Sequence, residues 1–482
     1  MFDCPFCRWI PQYRGLIPNF VTLRCSRACL LVLDSALALK NAAGREQFKL
    51  THLIVGSMML ARMLPRALTL FKTAFSVASA RFFSIALFAL SARHFSQHEN
   101  GVFIYAITLP QLLIQLGTIG WLNVIRREIA RRSEMPANLF KGFVLRSIQI
   151  PLLPVLAIGV GLVLFSFLKS DDQSLFLCAA AITVVYAVVA ILREYLIALG
   201  TPAFSIVASE TIPFGFASIC IWFFPPAHAT GAALLFLLGL LVSCGLQIPV
   251  AMRALKPYIK QGRPEYRTRS WIRAGGFSLL GFGGRTVLDR LDTIVLATLA
   301  PAVQFAHYNS AQRATVLLMV APMVLLPVFS PHVSKAFLLN DIPLLRREML
   351  LQTAIVATCV LPLASILILY PDAVMGFLFG EKYTTSNQIL GLIVFSQVMF
   401  ALSLPWSNLT LMSDKESTYG YAHILVLLLV FPIALGMVQA WGAYAIALAS
   451  LVANTVLFSV FFGLGMYDLM VDEGDAYKGA CL

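Results

Sequence analysis

Three charged residues lie at helical spacing inside an apolar stretch of the chain. Arg285, Asp289 and Asp292 are four and three residues apart, within a segment, 273–318, that is long and apolar enough to cross a bilayer. This spacing predicts that the three side chains lie on one face of a helix. A charge at membrane depth is costly unless it faces a partner or a water-filled cavity, so this face is a candidate functional site.

Further polar side chains interrupt other apolar segments and are candidates for the same interior. They are Arg81, Gln111, Gln115, Glu210, Asn309, Gln312 and Arg313. A guanidinium group binds phosphate through two parallel hydrogen bonds, and amides bind sugar hydroxyls or backbone groups. The alternative is internal pairing, in which Arg285 binds Asp289 one turn away and the amides only join helices.

The composition assigns the chain to a class. Its 482 residues are 59% hydrophobic and only 12% charged, whereas about a quarter of an ordinary soluble domain is charged. Apolar runs of membrane-spanning length recur throughout, and they predict twelve spans between residues 67 and 465. The spans lack the alternation of strands, so the predicted fold class is an all-α polytopic membrane protein.

The positive charge of the chain follows the predicted loops. Seven basic residues lie between 253 and 273, and six more follow the second span, whereas the alternate loops hold only Arg93, Lys169 and Lys382. By the positive-inside rule, we expect both termini to be cytoplasmic. This distribution accounts for most of the net charge of +13 without nucleic acid, so we expect membrane lipids and no nucleic acid as partners.

The long basic loop divides the membrane portion into two equal parts. We expect a six-helix bundle over 58–252, a basic cytoplasmic linker over 253–270, a second bundle over 271–465 and a cytoplasmic tail over 466–482. Residues 1–57 do not follow this pattern, and one explanation is a start codon assigned too early.

Motifs for enzymatic chemistry do not stand out. The chain has no G-x-S-x-G, no H-E-x-x-H and no P-loop lysine at the required spacing. Cys4 and Cys7 have no second pair at zinc spacing. The sequence therefore predicts a protein that is not an enzyme, with no catalytic residues, no cofactor and no metal site.

Several segments resemble a known family. FFSIALFALSARHFSQHENGVFIYA with GTIGWLNVIRREIA, LDRLDTIVLATLAPAVQFAHYNSAQRA with SPHVSKAF, and LFGEKYTTSNQIL together resemble polysaccharide flippases of the O-antigen type. These belong to the multidrug/oligosaccharidyl-lipid/polysaccharide exporter superfamily. The likeness covers residues 67–465 and includes Arg126 at the inner end of the second helix. It implies two six-helix bundles around a cationic lumen, through which undecaprenyl-diphosphate-linked sugars cross a bacterial inner membrane.

The resemblance gives the candidate residues their expected roles. We expect the substrate to contact Arg81, Arg285, Arg313, Gln111, Gln115, Asn309 and Gln312. Proton or sodium coupling is expected at Asp289, Asp292 or Glu210, and a polysaccharide polymerase or other assembly protein is an expected partner. The alternatives are a cation-coupled multidrug exporter, a peptidoglycan-precursor flippase and, from another class, a membrane-embedded polymerase or glycosyltransferase.

Overall fold

The computed structural model describes residues 71–479, apart from 119, 131, 133–134, 169–172, 260–262, 291–294, 297, 340 and 414. The predicted extension at 1–57 and the candidate Asp292 therefore lie outside the described residues. Throughout the described part the regular structure is helical, and no strand occurs in it. The predicted all-α class is confirmed.

The N half of the described chain consists of seven helices, α1 to α7. Their bounds are α1 Phe71–His94, α2 Gln97–Gly117, α3 Trp121–Ala130, α4 Ala137–Leu168, α5 Gln173–Ala198, α6 Pro202–Phe223 and α7 Ala229–Ile259. Helix α5 lies centrally, since α2, α3, α4 and α7 all pack against it.

Helix α6 contains one wide turn, a π-helical segment at Val207–Thr211. Pro213 follows this segment, and its ring nitrogen cannot donate the hydrogen bond that would continue an α-helix. The wide turn contains Glu210, and π-turns of this kind recur at functional sites.

The C half begins after the basic segment. Its helices are α8 Thr268–Leu288, α9 Ala302–Thr315, α10 Val320–Leu338, α11 Ile342–Leu369, α12 Pro371–Phe379, α13 Asn387–Met412, α14 Glu416–Trp441 and α15 Ala443–Gly479. Helix α13 packs against α9, α10, α11 and α15, and so has a central position. Gly442, at a φ of 54°, makes the tight reversal between α14 and α15, a backbone conformation that glycine adopts without strain.

Ten described helices are long and apolar enough to cross a membrane. They coincide with ten of the twelve predicted spans, so the chain is a multi-pass membrane protein. The two remaining predictions, 271–298 and 303–328, contain the polar residues from which the candidate site was inferred. The second of them consists of α9, a 3₁₀ turn at Val316–Met319 and the first part of α10.

The prediction of one continuous helix across 271–298 is wrong. Helix α8 ends at Leu288, and residues 289–290 form a turn. Asp289 is the C-cap residue, and Arg285 lies in the last turn, where a positive charge interacts favourably with the helix dipole. The length of an apolar run does not show where a helix ends within it. Asp289 gives little further indication, because aspartate disfavours a helix only weakly.

The structure also shows how far helices extend into the predicted linker and the predicted tail. Helix α7 continues to Ile259 and α8 begins at Thr268, so the described non-helical part of the predicted linker is 263–267. Helix α15 continues to Gly479 and therefore includes most of the residues of the predicted tail.

Candidate functional site: charged clusters between the two halves

A chain of alternating charges connects four helices of the N half. Glu194 on α5 accepts a hydrogen bond of 2.7 Å from Nε of Arg126 on α3, and it also pairs with Arg193 at 3.1 Å. Arg193 continues the chain by donating to Glu210 on α6 at 3.0 Å. Glu210 lies 4.0 Å from the guanidinium group of Arg81 on α1. The Glu194 side chain is 2% exposed, so this carboxylate is stabilised mainly by its two arginines.

A polar cavity of about 90 Å³ lies beside this chain of charges. Among its lining residues are Gln111, Gln115, Arg193, Ser209 and Arg290. The Ser209 hydroxyl is buried and has no hydrogen-bond partner among the described residues. A cavity of this size and polarity holds water molecules or polar ligand groups, which would satisfy that hydroxyl.

The C half contains a second polar cavity, of about 60 Å³. Arg285 and Asp289 lie at its wall and form a two-pronged ion pair, with Nη2–Oδ1 at 2.6 Å and Nε–Oδ2 at 3.0 Å. The guanidinium carbon of Arg285 also lies 3.7 Å from the ring centre of Phe400, a cation–π contact. The internal pairing of Arg285 with Asp289, the alternative considered from the sequence, is therefore present.

Amides and hydroxyls complete the second cavity. Gln312 on α9 lines it, together with Tyr308, Gln397, Ser450 and Asn454. The cavity therefore combines one ion pair with several neutral hydrogen-bonding groups. This is the donor and acceptor set that suits a hydroxyl-rich ligand bearing an anionic group.

Three arginines connect the two halves close to these cavities. Arg313 on α9 lies 3.5 Å from the Ser84 hydroxyl and 4.1 Å from the ring centre of Phe88, both on α1. Arg81 on α1 lies 3.5 Å from the sulfur of Met323 on α10. Arg290, which follows α8, donates to Gln111 on α2 at 3.4 Å. Residues predicted from separate spans are thus brought together where the halves meet.

The three polar candidates on α9, Asn309, Gln312 and Arg313, lie in different environments. Asn309 is 1% exposed and accepts a bond of 3.3 Å from Arg313, as their spacing of four residues predicts. Gln312 lines the cavity of the C half, whereas Arg313 reaches α1 of the N half. Helix α9 thus connects the cavity of one half to the surface of the other.

The two halves are also joined at one end, here called the Arg93 end, where residues 93–101 meet 377–383. Arg93 donates to the carbonyls of Phe377 and Leu378, and Gln97 donates to the carbonyl of Lys382 at 2.7 Å. Lys382 donates in return to the carbonyl of Phe95. The loop charges predict that this end faces away from the cytoplasm.

A buried contact strengthens the junction at the Arg93 end. The side-chain amide of Asn100 donates to the Tyr383 hydroxyl at 2.7 Å and accepts from Ser91 at 2.9 Å. Helices α2 and α9 pack here so closely that a Cβ on Gly101 would overlap the carbonyl oxygen of Ala302. These contacts close the Arg93 end.

The charge chain contains residues that the sequence analysis did not select. Arg193 and Glu194 lie within an apolar span, 174–199, and the rule for intramembrane charges would have identified them. Their partners could not be read from spacing, since Arg126 and Glu194 are 68 residues apart. Arg290 follows Asp289 in the same polar stretch of the sequence, and its contact with Gln111 places it at a cavity.

The chain matches no protein-family model and no curated protein sequence. Solved structures nevertheless share its fold. A multidrug resistance MATE family transporter of the MOP superfamily, in its inward-facing conformation, superposes with a TM-score of 0.60 at 16% identity, over 82% of this chain and 95% of that one. Its outward-facing counterpart gives 0.52 at 14% identity, over 84% and 96%.

A third similar structure comes from Vibrio cholerae. The MATE transporter VcmN in its bent form superposes with a TM-score of 0.54 at 14% identity, over 84% of this chain and 97% of that one. At such identities the likeness establishes the fold, which is that of MATE transporters. The superpositions cover nearly the whole length of the solved chains.

Proposed function

We propose that this protein is a flippase that moves an undecaprenyl-diphosphate-linked oligosaccharide across the bacterial inner membrane, by alternating access between its two halves, for O-antigen or related polysaccharide synthesis. One observation carries the proposal, namely the charge around the junction of the halves. Six described arginines occur there, Arg81, Arg126, Arg193, Arg285, Arg290 and Arg313, against three described carboxylates, Glu194, Glu210 and Asp289.

An excess of three positive charges suits an anionic substrate. A diphosphate headgroup would replace water or weak partners around the arginines, and the amides lining the cavities match the hydroxyls of a sugar. The lipid tail would remain in hydrocarbon while the headgroup passes between the halves. The sequence resemblance to polysaccharide flippases and the MATE fold both agree with such a pathway.

Alternating access needs two halves that separate at one end while meeting at the other. The junction at the Arg93 end is built largely from side chains bonded to main-chain carbonyls, in the last turn of α12, the 3₁₀ segment that follows it and the loop before α2, and such contacts break and re-form without unfolding a helix. The likeness to both an inward-facing and an outward-facing transporter supports the same mode of action.

A cation-coupled multidrug exporter is the second candidate. It is favoured by the multidrug resistance transporters that share the fold and by two acids, Glu210 and Asp289, that line or adjoin the polar cavities. In this alternative the acids bind the coupling ion and a cationic substrate, and their arginine partners hold them in place.

Reconstitution distinguishes the two candidates. Purified protein is placed in vesicles that contain a fluorescent prenyl-diphosphate-linked oligosaccharide, and the fraction of label reached by an impermeant quencher is followed with time. We expect label in the inner leaflet to become accessible only with protein present. Parallel vesicles loaded with a cationic dye test the exporter, and dye transport without movement of the labelled lipid would overturn the flippase proposal.

A further inference from the structure

A deep groove lies on the side of the N half, away from both polar cavities. Helices α4 and α7 each pack along α5 but make few contacts with each other, so α5 forms the floor of a channel between them. The space has a volume of about 780 Å³, several times that of either polar cavity. Pro249 in α7 lines it, and a proline inside a helix removes a backbone hydrogen bond and favours a bend at this position.

The walls of the groove are apolar along their length. They include Leu145, Ile148 and Leu152 of α4, Ile191 of α5, and Ile248 and Met252 of α7. From Leu145 to Leu152 a helix rises roughly 10 Å, at about 1.5 Å per residue. One leaflet of a bilayer has a hydrocarbon depth of roughly 15 Å. The groove therefore has the length of a large part of one acyl chain in one leaflet.

One end of the groove is basic. Arg253 and Lys256 on α7 line it and are exposed, and they lie three residues apart on the same face of the helix. No carboxylate is among the described residues that line the groove. The loop charges predict that this end lies at the cytoplasmic surface, where phospholipid headgroups are found.

We propose that the groove is a binding site for one anionic phospholipid of that leaflet. Its acyl chain lies along α5 between α4 and α7, and its phosphate lies between Arg253 and Lys256. A lipid tail gains little from leaving other lipids for an apolar helix surface, so selection comes from the headgroup. Basic pockets between membrane helices select anionic headgroups in this way.

The selectivity has an expected size. Each basic residue near the membrane surface favours an anionic lipid by a roughly fivefold change in binding, so two residues together give roughly 30-fold. The site is separate from the polar cavities, and the inference does not depend on which substrate the protein moves.

Native mass spectrometry of the full chain tests the proposal. The protein is released from nanodiscs in which phosphatidylcholine is in excess over phosphatidylglycerol, and the retained lipids are identified by mass. We expect one phosphatidylglycerol to be retained in strong preference to phosphatidylcholine. The double change Arg253→Gln with Lys256→Gln should remove most of this preference. Arg346→Gln with Arg347→Gln, which removes two exposed charges on α11, is the matched control and should retain it.

A second pair of variants tests the groove rather than its charge. Ile148→Trp fills the groove and should abolish retention of any lipid, whereas Leu153→Trp, on an exposed part of α4 outside the groove, should not. The proposal is overturned if the wild-type protein retains the two lipids in proportion to their abundance. Equal retention by the Arg253–Lys256 double variant, or a co-purified prenyl diphosphate in place of the phospholipid, would also overturn it.

Discussion

The two halves of the molecule hold their central charges in different ways. In the N half the charges span four helices, and Glu194, the acid at their centre, is 2% exposed and pairs with both Arg126 and Arg193. In the C half Arg285 and Asp289 lie one turn apart at the end of a single helix, and Asp289 is 47% exposed. The first arrangement fixes helices relative to one another, whereas the second leaves the arginine with a partner that water or a ligand can replace.

This difference assigns different tasks to similar residues. Removing a buried acid shared by two arginines weakens the contacts of both, because Arg126 loses this carboxylate and Arg193 keeps only its bond to Glu210. In the C half only Arg285 is largely buried, whereas its partner Asp289 is half exposed, so solvent screens this pair and lowers its contribution to stability. We therefore expect the N-half charges to maintain the bundle and Arg285 of the C half to exchange its carboxylate for the substrate phosphate.

The largest effect is expected at Glu194. Replacing Glu194 by glutamine leaves Arg126 and Arg193 without their shared carboxylate and should lower the free energy of unfolding by about 3–5 kcal/mol. The measurement is the apparent Tm of the purified protein, together with its abundance in the membrane. Glu265→Gln, the same change at a residue whose side chain is 56% exposed, serves as control and should leave both unchanged. An unaltered Tm for Glu194→Gln would show that the N-half charges are not structural.

A smaller effect, on transport rather than stability, is expected at Arg285. The Arg285→Ala protein should fold normally but move the labelled lipid roughly 10- to 150-fold more slowly, the range for losing hydrogen bonds to a charged group. Arg285→Lys should recover only part of the rate, because lysine keeps the charge but cannot form the two parallel bonds of a guanidinium. The rate of label accessibility in reconstituted vesicles gives the measurement.

The double variant Arg285→Ala with Asp289→Ala sharpens the comparison. If Arg285 contacts substrate, the double variant stays as slow as Arg285→Ala. Recovery of transport in the double variant would mean that Arg285 only neutralises Asp289, which would make the C-half pair structural like its counterpart in the N half.

The smallest effect is expected where the halves meet at the Arg93 end. Tyr383→Phe removes the hydroxyl that accepts a bond from Asn100, which should weaken closure of this end by about 0.5–1.5 kcal/mol. Spin labels at Phe224 and Tyr370, which are exposed residues of the two halves, would report a larger fraction of long distances. Tyr421→Phe, at a tyrosine that is 72% exposed, is the control. An unchanged distance distribution would remove Asn100 and Tyr383 from the closing contacts.

Much of the fold could be predicted because burial in lipid demands long apolar helices. For this reason ten of the twelve predicted spans coincide with described helices of membrane-spanning length. The prediction of one continuous helix at 271–298 is wrong for a physical reason. A segment that lines a polar cavity need not be apolar, so its hydropathy does not follow its secondary structure. Where Asp289 and Arg290 occur, the chain turns, and hydropathy no longer reports the backbone.

The candidate site was predictable by residue type but not by partner. The pair Arg285–Asp289 is local, and the spacing of four residues suggested it. The contact of Arg313 with Ser84 joins residues 229 positions apart, and no periodicity encodes it. The roles in substrate binding and ion coupling stay predictions, and Asp292 lies outside the described residues.

The close approach of α2 to α9 at Gly101 affects how the protein divides its time between conformations. Because any side chain at this position would overlap Ala302, only glycine allows the helices to meet. A bulkier residue there would raise the free energy of the closed state but not that of the open state. The equilibrium between the two states would shift toward the open state by this difference in free energy. Gly101→Val should therefore hold the Arg93 end open for most of the transport cycle. The same spin labels would then show the long distance as the major population even without substrate.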